Sequence, residues 1–183
     1  MAKLISKTYG EALYELAMEE NKADAFLEEV TIIRQILKEN GDFDKLMNHP
    51  KIRKEEKVKV MEEVFKGRVS EELLGFLILV LKKERYKELD KIFQYFIEQV
   101  KEVKGIGIAY VTAAMELTEV QKKRIEERLL ETTSYKQMEM HYTVDKELIG
   151  GMVIRIKDRV VDSSVRTKLA ELTKQLYQIQ LQS

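Results

Sequence analysis

The chain has 183 residues, of which 44% are hydrophobic and 35% charged, a balance that describes a folded protein of one or two domains and excludes extended disorder. Lys plus Arg and Asp plus Glu each number 32, so no overall field favours nucleic acid or an anionic membrane. The absence of Cys removes disulfides, thiolate nucleophiles and Cys-ligated metal centres, and no window approaches the ~20 apolar residues of a membrane span.

With one Pro and eight Gly, most of the backbone is free to be helical. Ile5, Tyr9, Ala12, Leu13, Leu16 and Ala17 fall on one helical face and predict a first helix. Asn21 is placed to cap a second helix with the stripe Phe26, Val30, Ile33 and Leu37, ended by Asn40-Gly41. A short segment with Phe43, Leu46 and Met47 follows, and Pro50 breaks the chain after His49. A fourth helix spans Arg53 to Phe65 and stops at Gly67. Ser70-Glu71-Glu72 opens a fifth, whose run from Leu73 to Leu81 is apolar all round and predicts a helix surrounded on every side. Tyr86, Leu89, Phe93, Phe96, Val100 and Val103 form the stripe of a sixth.

After Gly105 the period changes from helical to alternating. Ile106 to Ala113 reads as a strand, and Thr118 with Gln121 makes a capping box for a helix through Val120, Ile125 and Leu129. Met138, Met140, Tyr142 and Val144 alternate with polar residues as a half-buried strand. Met152, Ile154 and Ile156 begin a hairpin that Lys157-Asp158 turns back into Val160-Val161. Ser163 or Ser164 caps a last helix with the stripe Val165, Leu169, Leu172, Leu176 and Ile179. The predicted fold is mainly α, with an N-terminal six-helix bundle over residues 1–104 and a small α+β domain over 105–183 in the order strand-helix-strand-strand-helix.

Catalysis needs convergent groups, and none is legible. His49 precedes a Pro in a turn, and His141 lies on the polar side of a strand, so each reads as a surface or turn residue. Gly105-Ile106-Gly107 and Gly150-Gly151 lack the flanking pattern of phosphate loops and read as turns. Asp145, Glu147, Asp158 and Asp162 do not have calcium-loop spacing. No catalytic, cofactor-binding or metal-ligating residue is assigned. The four-three stripe of the last helix suits either its own small sheet or another long helix.

The string Asp145-Lys-Glu-Leu-Ile-Gly-Gly-Met-Val-Ile-Arg-Ile-Lys-Asp-Arg-Val-Val-Asp-Ser-Ser-Val-Arg-Thr-Lys-Leu169 resembles the signature near the C-terminus of the delta subunit of F-type ATP synthases, the family of the mitochondrial oligomycin sensitivity-conferring protein. Tyr9 to Ala17, Leu46 to Pro50, Leu77 to Arg85 and Ala113 to Gln121 resemble other parts of the family pattern, so the likeness spans nearly the whole chain. Lys157 departs from it where the family commonly has a glycine in the hairpin turn, as does Ser163 before Ser164.

This resemblance implies a structural subunit without an active site. Its N-terminal domain would grip N-terminal helices of the alpha subunits, and its C-terminal domain would hold the C-terminal end of subunit b, so that the catalytic head resists rotor torque. It also implies one copy per complex, no nucleic acid, and only indirect association with the cytoplasmic side of a bacterial cell membrane. The family's alpha-binding groove maps to Tyr9, Ala12, Leu13, Leu16, Leu74, Ile78 and Leu81, and the stalk contact to Val165, Leu169, Leu172 and Leu176. Without the resemblance, the same composition fits a cytosolic helical-bundle adaptor in signalling or regulation.

Overall fold

The computed structural model describes the backbone of residues 2–180 and the side chains of residues 4–174. The chain divides into two compact units between Val100 and Lys101.

The first unit is helical: α1 (Ala2–Glu19), α2 (Ala23–Glu39), α3 (Gly41–Asn48), α4 (Lys54–Phe65), α5 (Glu71–Lys82) and α6 (Leu89–Val103), with a 3-10 turn at Tyr86–Glu88. The last turn of α6 lies past the division. One apolar core gathers Leu13 of α1, Phe26 and Ile33 of α2, Met61 of α4, Leu73 and Leu77 of α5, and Phe93 and Phe96 of α6. Burying such side chains contributes about 1.5–3 kcal/mol each, and this is the main term holding the helices together.

Several boundaries differ from the sequence reading for identifiable reasons. Asn21 does not cap α2 but ends α1: its φ is +52°, its N–H reaches the Met18 carbonyl at 3.1 Å, and the Lys22 N–H reaches the Ala17 carbonyl at 2.9 Å. That is a Schellman closure, in which Asn replaces the usual Gly at the left-handed position. Ser70 does precede α5, yet its hydroxyl donates to Glu29 Oε2 at 2.7 Å rather than accepting a helix N–H. Helix α5 is not enclosed on every side, since Leu79 is 45% exposed. Val103, the last member of the α6 stripe, is also exposed.

The second unit contains β1 (Ile106–Ala113), α7 (Glu119–Thr132), β2 (Gln137–Val144), β3 (Met152–Ile156), β4 (Arg159–Asp162) and α8 (Val165–Gln180), with a 3-10 turn at Lys146–Leu148. Both arms of the hairpin are strands, so the order is strand-helix-strand-strand-strand-helix, one strand more than predicted. The sheet order is β2-β1-β3-β4, with β1 parallel to β2 and the other pairs antiparallel.

Strand β1 alternates strictly, with Gly107, Ala109, Val111 and Ala113 buried between half-buried neighbours. Its register puts Met138, Met140, Tyr142 and Val144 of β2 on the same face as those residues, with Met138 buried, Met140 and Tyr142 half-buried and Val144 exposed at the strand end; α7 packs here, and the Tyr142 hydroxyl donates to the Lys122 carbonyl at 3.3 Å. The Thr118–Gln121 capping box forms as predicted, with the Gln121 N–H on Thr118 Oγ1 at 3.3 Å and the Thr118 N–H on Gln121 Oε1 at 2.9 Å. Ile125 and Leu129 are half-buried, whereas Val120 is exposed because it lies on the outer side of the first turn.

The hairpin turn places Lys157 at φ +51°, the position where a glycine would be relaxed, and its Nζ pairs with Glu102 Oε1 at 2.7 Å. Gly151 is more constrained. At φ +76°, a Cβ there would lie 2.4 Å from the Ser163 carbonyl oxygen, so both conformation and space demand glycine. Gly151→Ala should destabilise the second unit by about 2 kcal/mol or more. Hydrogen exchange read by mass spectrometry should show faster exchange in β3, β4 and α8, with peptides from α1 to α5 unchanged.

Candidate interaction surfaces

The start of α8 is set by a closed group of hydrogen bonds. Asp162 Oδ1 accepts the Ser164 N–H at 2.8 Å, and its Oδ2 accepts the Thr167 hydroxyl at 2.8 Å. Ser164 Oγ accepts the Thr167 N–H at 3.2 Å, so Ser164, which is fully buried, is the N-cap. Ser163 turns the other way: its N–H and its hydroxyl both reach the Met152 carbonyl at 2.9 Å, fastening the loop to β3. Hydrogen bonds from the Ser164 N–H and from the Ser164 and Thr167 hydroxyls hold the Asp162 carboxyl below its usual range.

From this cap, α8 packs on the 3-10 turn Lys146–Leu148 through its first turns. The Val165 N–H donates to the Gly150 carbonyl at 2.9 Å, and Arg166 lies 3.7 Å from Glu147. A Cβ on Gly150 would come within 2.9 Å of Val165 Cγ2, so this glycine also lets the helix close in. Beyond that contact the apolar stripe is left in water: Val165 is 37%, Leu169 50% and Leu172 55% exposed. Leu176 and Ile179 lie outside the described side chains. Ile149, also exposed, carries φ +66°, an unusual conformation for a β-branched residue.

The residues assigned to a groove on α1 and α5 separate into two groups. Leu13 is 0% and Leu81 6% exposed, so both side chains belong to the core of the first unit. Tyr9, Leu16, Leu74 and Ile78 are half-buried and Ala12 is exposed. Leu79 and Gly75, which the sequence reading did not single out, are exposed on the solvent side of α5. They share a face with Glu71, Ile78 and Lys82 by the i, i+3, i+4, i+7 rule, and the charges at Glu71 and Lys82 were the available signal.

The polar residues considered for chemistry serve local structure. His49 Nδ1 accepts the Lys51 N–H at 3.2 Å in its turn. His141 stacks on Tyr110 with ring centroids 5.0 Å apart, and Arg155 lies 4.9 Å from the same ring on the neighbouring strand. Asp145 accepts the Glu147 N–H at 2.9 Å, Asp162 caps α8, and among the described residues no three His, Cys, Asp or Glu side chains cluster to hold a metal.

A groove of about 690 Å³ runs between the end of α7 and the β3–β4 hairpin over Leu129, Ile154, Ile156 and Val161. Four of its polar liners are engaged elsewhere: Thr133 donates to the Leu129 carbonyl, Arg128 to Glu131, and Tyr135 and Lys157 both to Glu102.

A helical unit is thus joined to a small α+β unit whose last helix keeps Val165, Leu169 and Leu172 in water. The chain belongs to the ATP synthase delta (OSCP) subunit family, whose model matches residues 5–176. It is 52% identical over 181 residues to the ATP synthase subunit delta of Lachnoclostridium phytofermentans, covering 99% of this chain and 100% of that one. It is 31% identical over 176 residues to the protein of the same name from Acetivibrio thermocellus, covering 96% and 99%. A chain in the cryo-EM structure of the Toxoplasma gondii mitochondrial ATP synthase hexamer shares the fold, with a TM-score of 0.77 at 15% identity over 94% of this chain and 97% of that one. Among the described residues, no helix is long and apolar enough to cross a membrane.

The cap of α8 makes two expectations testable. Ser164→Ala should cost about 1 kcal/mol by leaving the Thr167 N–H without its acceptor. The depressed Asp162 pKa means its contribution is full above the unfolded value of ~3.9 and fades as pH falls through the lower folded value. Amide exchange in the first turn of α8, corrected for intrinsic rate, should therefore be flat from neutrality down to that range and rise below it; Asp162→Ala should abolish the pH step.

Proposed function

We propose that this chain is the non-catalytic stator subunit of a proton-translocating F-type ATP synthase, with no active site of its own. In this reading the six-helix N-terminal bundle, residues 1–104, grips N-terminal helices of the alpha subunits, and the α+β domain, residues 105–183, holds the C-terminal end of subunit b. One copy joins the catalytic head to the peripheral stalk on the cytoplasmic side of the cell membrane, and the link keeps the head from turning with the rotor.

The observation that carries the reading is α8, a helix with a fixed start whose apolar stripe stands in water at Val165, Leu169 and Leu172. Such side chains gain from burial against another helix, and a durable contact of this kind needs more than ~1,000 Å² of total buried surface. The outer sides of α1 and α5 supply the corresponding surface at the other unit, with Tyr9, Ala12 and Leu16 on α1 and Leu74 and Ile78 on α5 as contacts and Leu13 and Leu81 supporting them from the core. Family membership and the 52% identity to a protein named ATP synthase subunit delta favour the same role.

Calorimetric titration of the intact chain against the cognate subunit b C-terminal segment and against the alpha-subunit N-terminal helix tests both contacts. Leu169→Asp should weaken the b interaction by about tenfold to a hundredfold, the range expected for losing one buried leucine, and leave alpha binding unchanged. Circular dichroism should match the parent, because Leu169 is half exposed. Unchanged b binding in a folded Leu169→Asp protein would remove α8 from the stalk contact.

A further inference from the structure

Gly75 sits in the middle of α5, where glycine costs about 1 kcal/mol relative to alanine. A glycine is ordinarily kept in such a place by a backbone conformation or a close neighbour, and neither applies. Its φ is not in the left-handed region, and a Cβ built on it meets nothing within 4 Å. Gly10 in α1 is the instructive contrast: a Cβ there would lie 2.5 Å from Tyr95 Cδ1, so packing within the unit accounts for it. Gly75 has no such account inside the chain.

Its neighbours on the helix point to what lies outside. Leu79 is exposed, Leu74 and Ile78 are half-buried, and the outward face is bounded by Glu71 at one end and Lys82 at the other. A bare backbone patch amid apolar side chains, with opposite charges at its ends, complements an amphipathic helix that is apolar in its middle and oppositely charged at its flanks. Side chains at a contact hold helix axes 8–10 Å apart, and a glycine lets them come closer.

We infer that Gly75 is the crossing point at which the partner helix makes its closest approach to α5, and that the missing side chain sets which helices fit. The inference rests on the proposed reading that the partner is an alpha-subunit N-terminal helix. It makes Gly75 a specificity-determining position whose cost to the free chain is offset in the complex.

The test uses the intact chain, Gly75→Ala and Gly75→Leu, with a synthetic peptide of the cognate alpha-subunit N-terminal helix as the probe. Gly75→Ala should raise the thermal midpoint of the first unit by about 4–8 °C, while weakening peptide binding about tenfold. Gly75→Leu should remain folded and bind at least tenfold more weakly than Gly75→Ala. A folded Gly75→Ala protein that binds as tightly as the parent overturns the inference and leaves the alpha-subunit reading standing. A lowered midpoint in Gly75→Ala also overturns it, because the glycine would then serve the fold. If the parent chain itself fails to bind the peptide, the alpha-subunit reading falls and takes this inference with it.

Discussion

The second unit depends on the joint where β4 becomes α8. Asp162, Ser164 and Thr167 close a small ring of hydrogen bonds there, and Ser163 ties the same loop back to the Met152 carbonyl. The ring has room only because Gly151 lacks a side chain, since its absent Cβ would fall on the Ser163 carbonyl. A serine N-cap on an ordinary surface helix satisfies orphan amides and little more. Here the cap is anchored on both sides to the sheet, so it also fixes the direction in which the helix leaves. With the Val165 contact to Gly150, that direction keeps Leu169 and Leu172 in water instead of laying them on the sheet.

Small size explains why so much apolar surface remains. The second unit has one fully alternating strand and a covering helix that contributes half-buried rather than buried side chains. A sheet of four short strands cannot enclose every apolar residue its sequence carries, so Val160, Val161, Leu169 and Leu172 stay exposed. The first unit, with six helices on one core, buries Phe26, Phe65, Phe76, Tyr86, Phe93 and Phe96, and its exposed large apolar side chains, Leu4, Met18, Ile32, Ile36 and Leu79, are spread over α1, α2 and α5. Exposed apolar side chains gathered on one helix signal association more strongly than the same number scattered.

Apart from β4 as a strand of its own, the order and type of elements were legible from periodicity, because a 3.6-residue stripe and strict alternation are properties of the chain alone. The Thr118–Gln121 box and the hairpin around Lys157-Asp158 were legible for the same reason: each is decided within a few residues. The misses share a different cause. The run from Leu73 to Leu81 has no polar phase, so nothing in it says which side faces out, and the exposure of Leu79 beside the burial of Leu81 could not be read from it. Asn21 suits either a helix start or a left-handed helix end, and the choice depends on where the next helix packs. Ser70 was placed correctly, but its hydroxyl partner, Glu29, lies on another helix and is invisible to local pattern. What periodicity cannot give is therefore the phase of apolar runs and the long-range partner of a polar side chain.

A protein proposed to bear torque must resist sliding as well as separation, and apolar burial alone is poor at the first because it has no direction. Charged groups at the edges of an apolar stripe supply register, since a shifted helix would place like charges together or leave them without partners. Both surfaces have this arrangement: Arg166 and Glu147 lie beside the start of the α8 stripe, while Glu71 and Lys82 bound the α5 face. Gly75 adds a steric element on α5 that charge cannot provide, because a gap admits close approach at one position along the partner and resists the next. In the proposed stator, affinity would come from leucine and isoleucine, whereas resistance to slippage would come from the sparse charges and the gap between them.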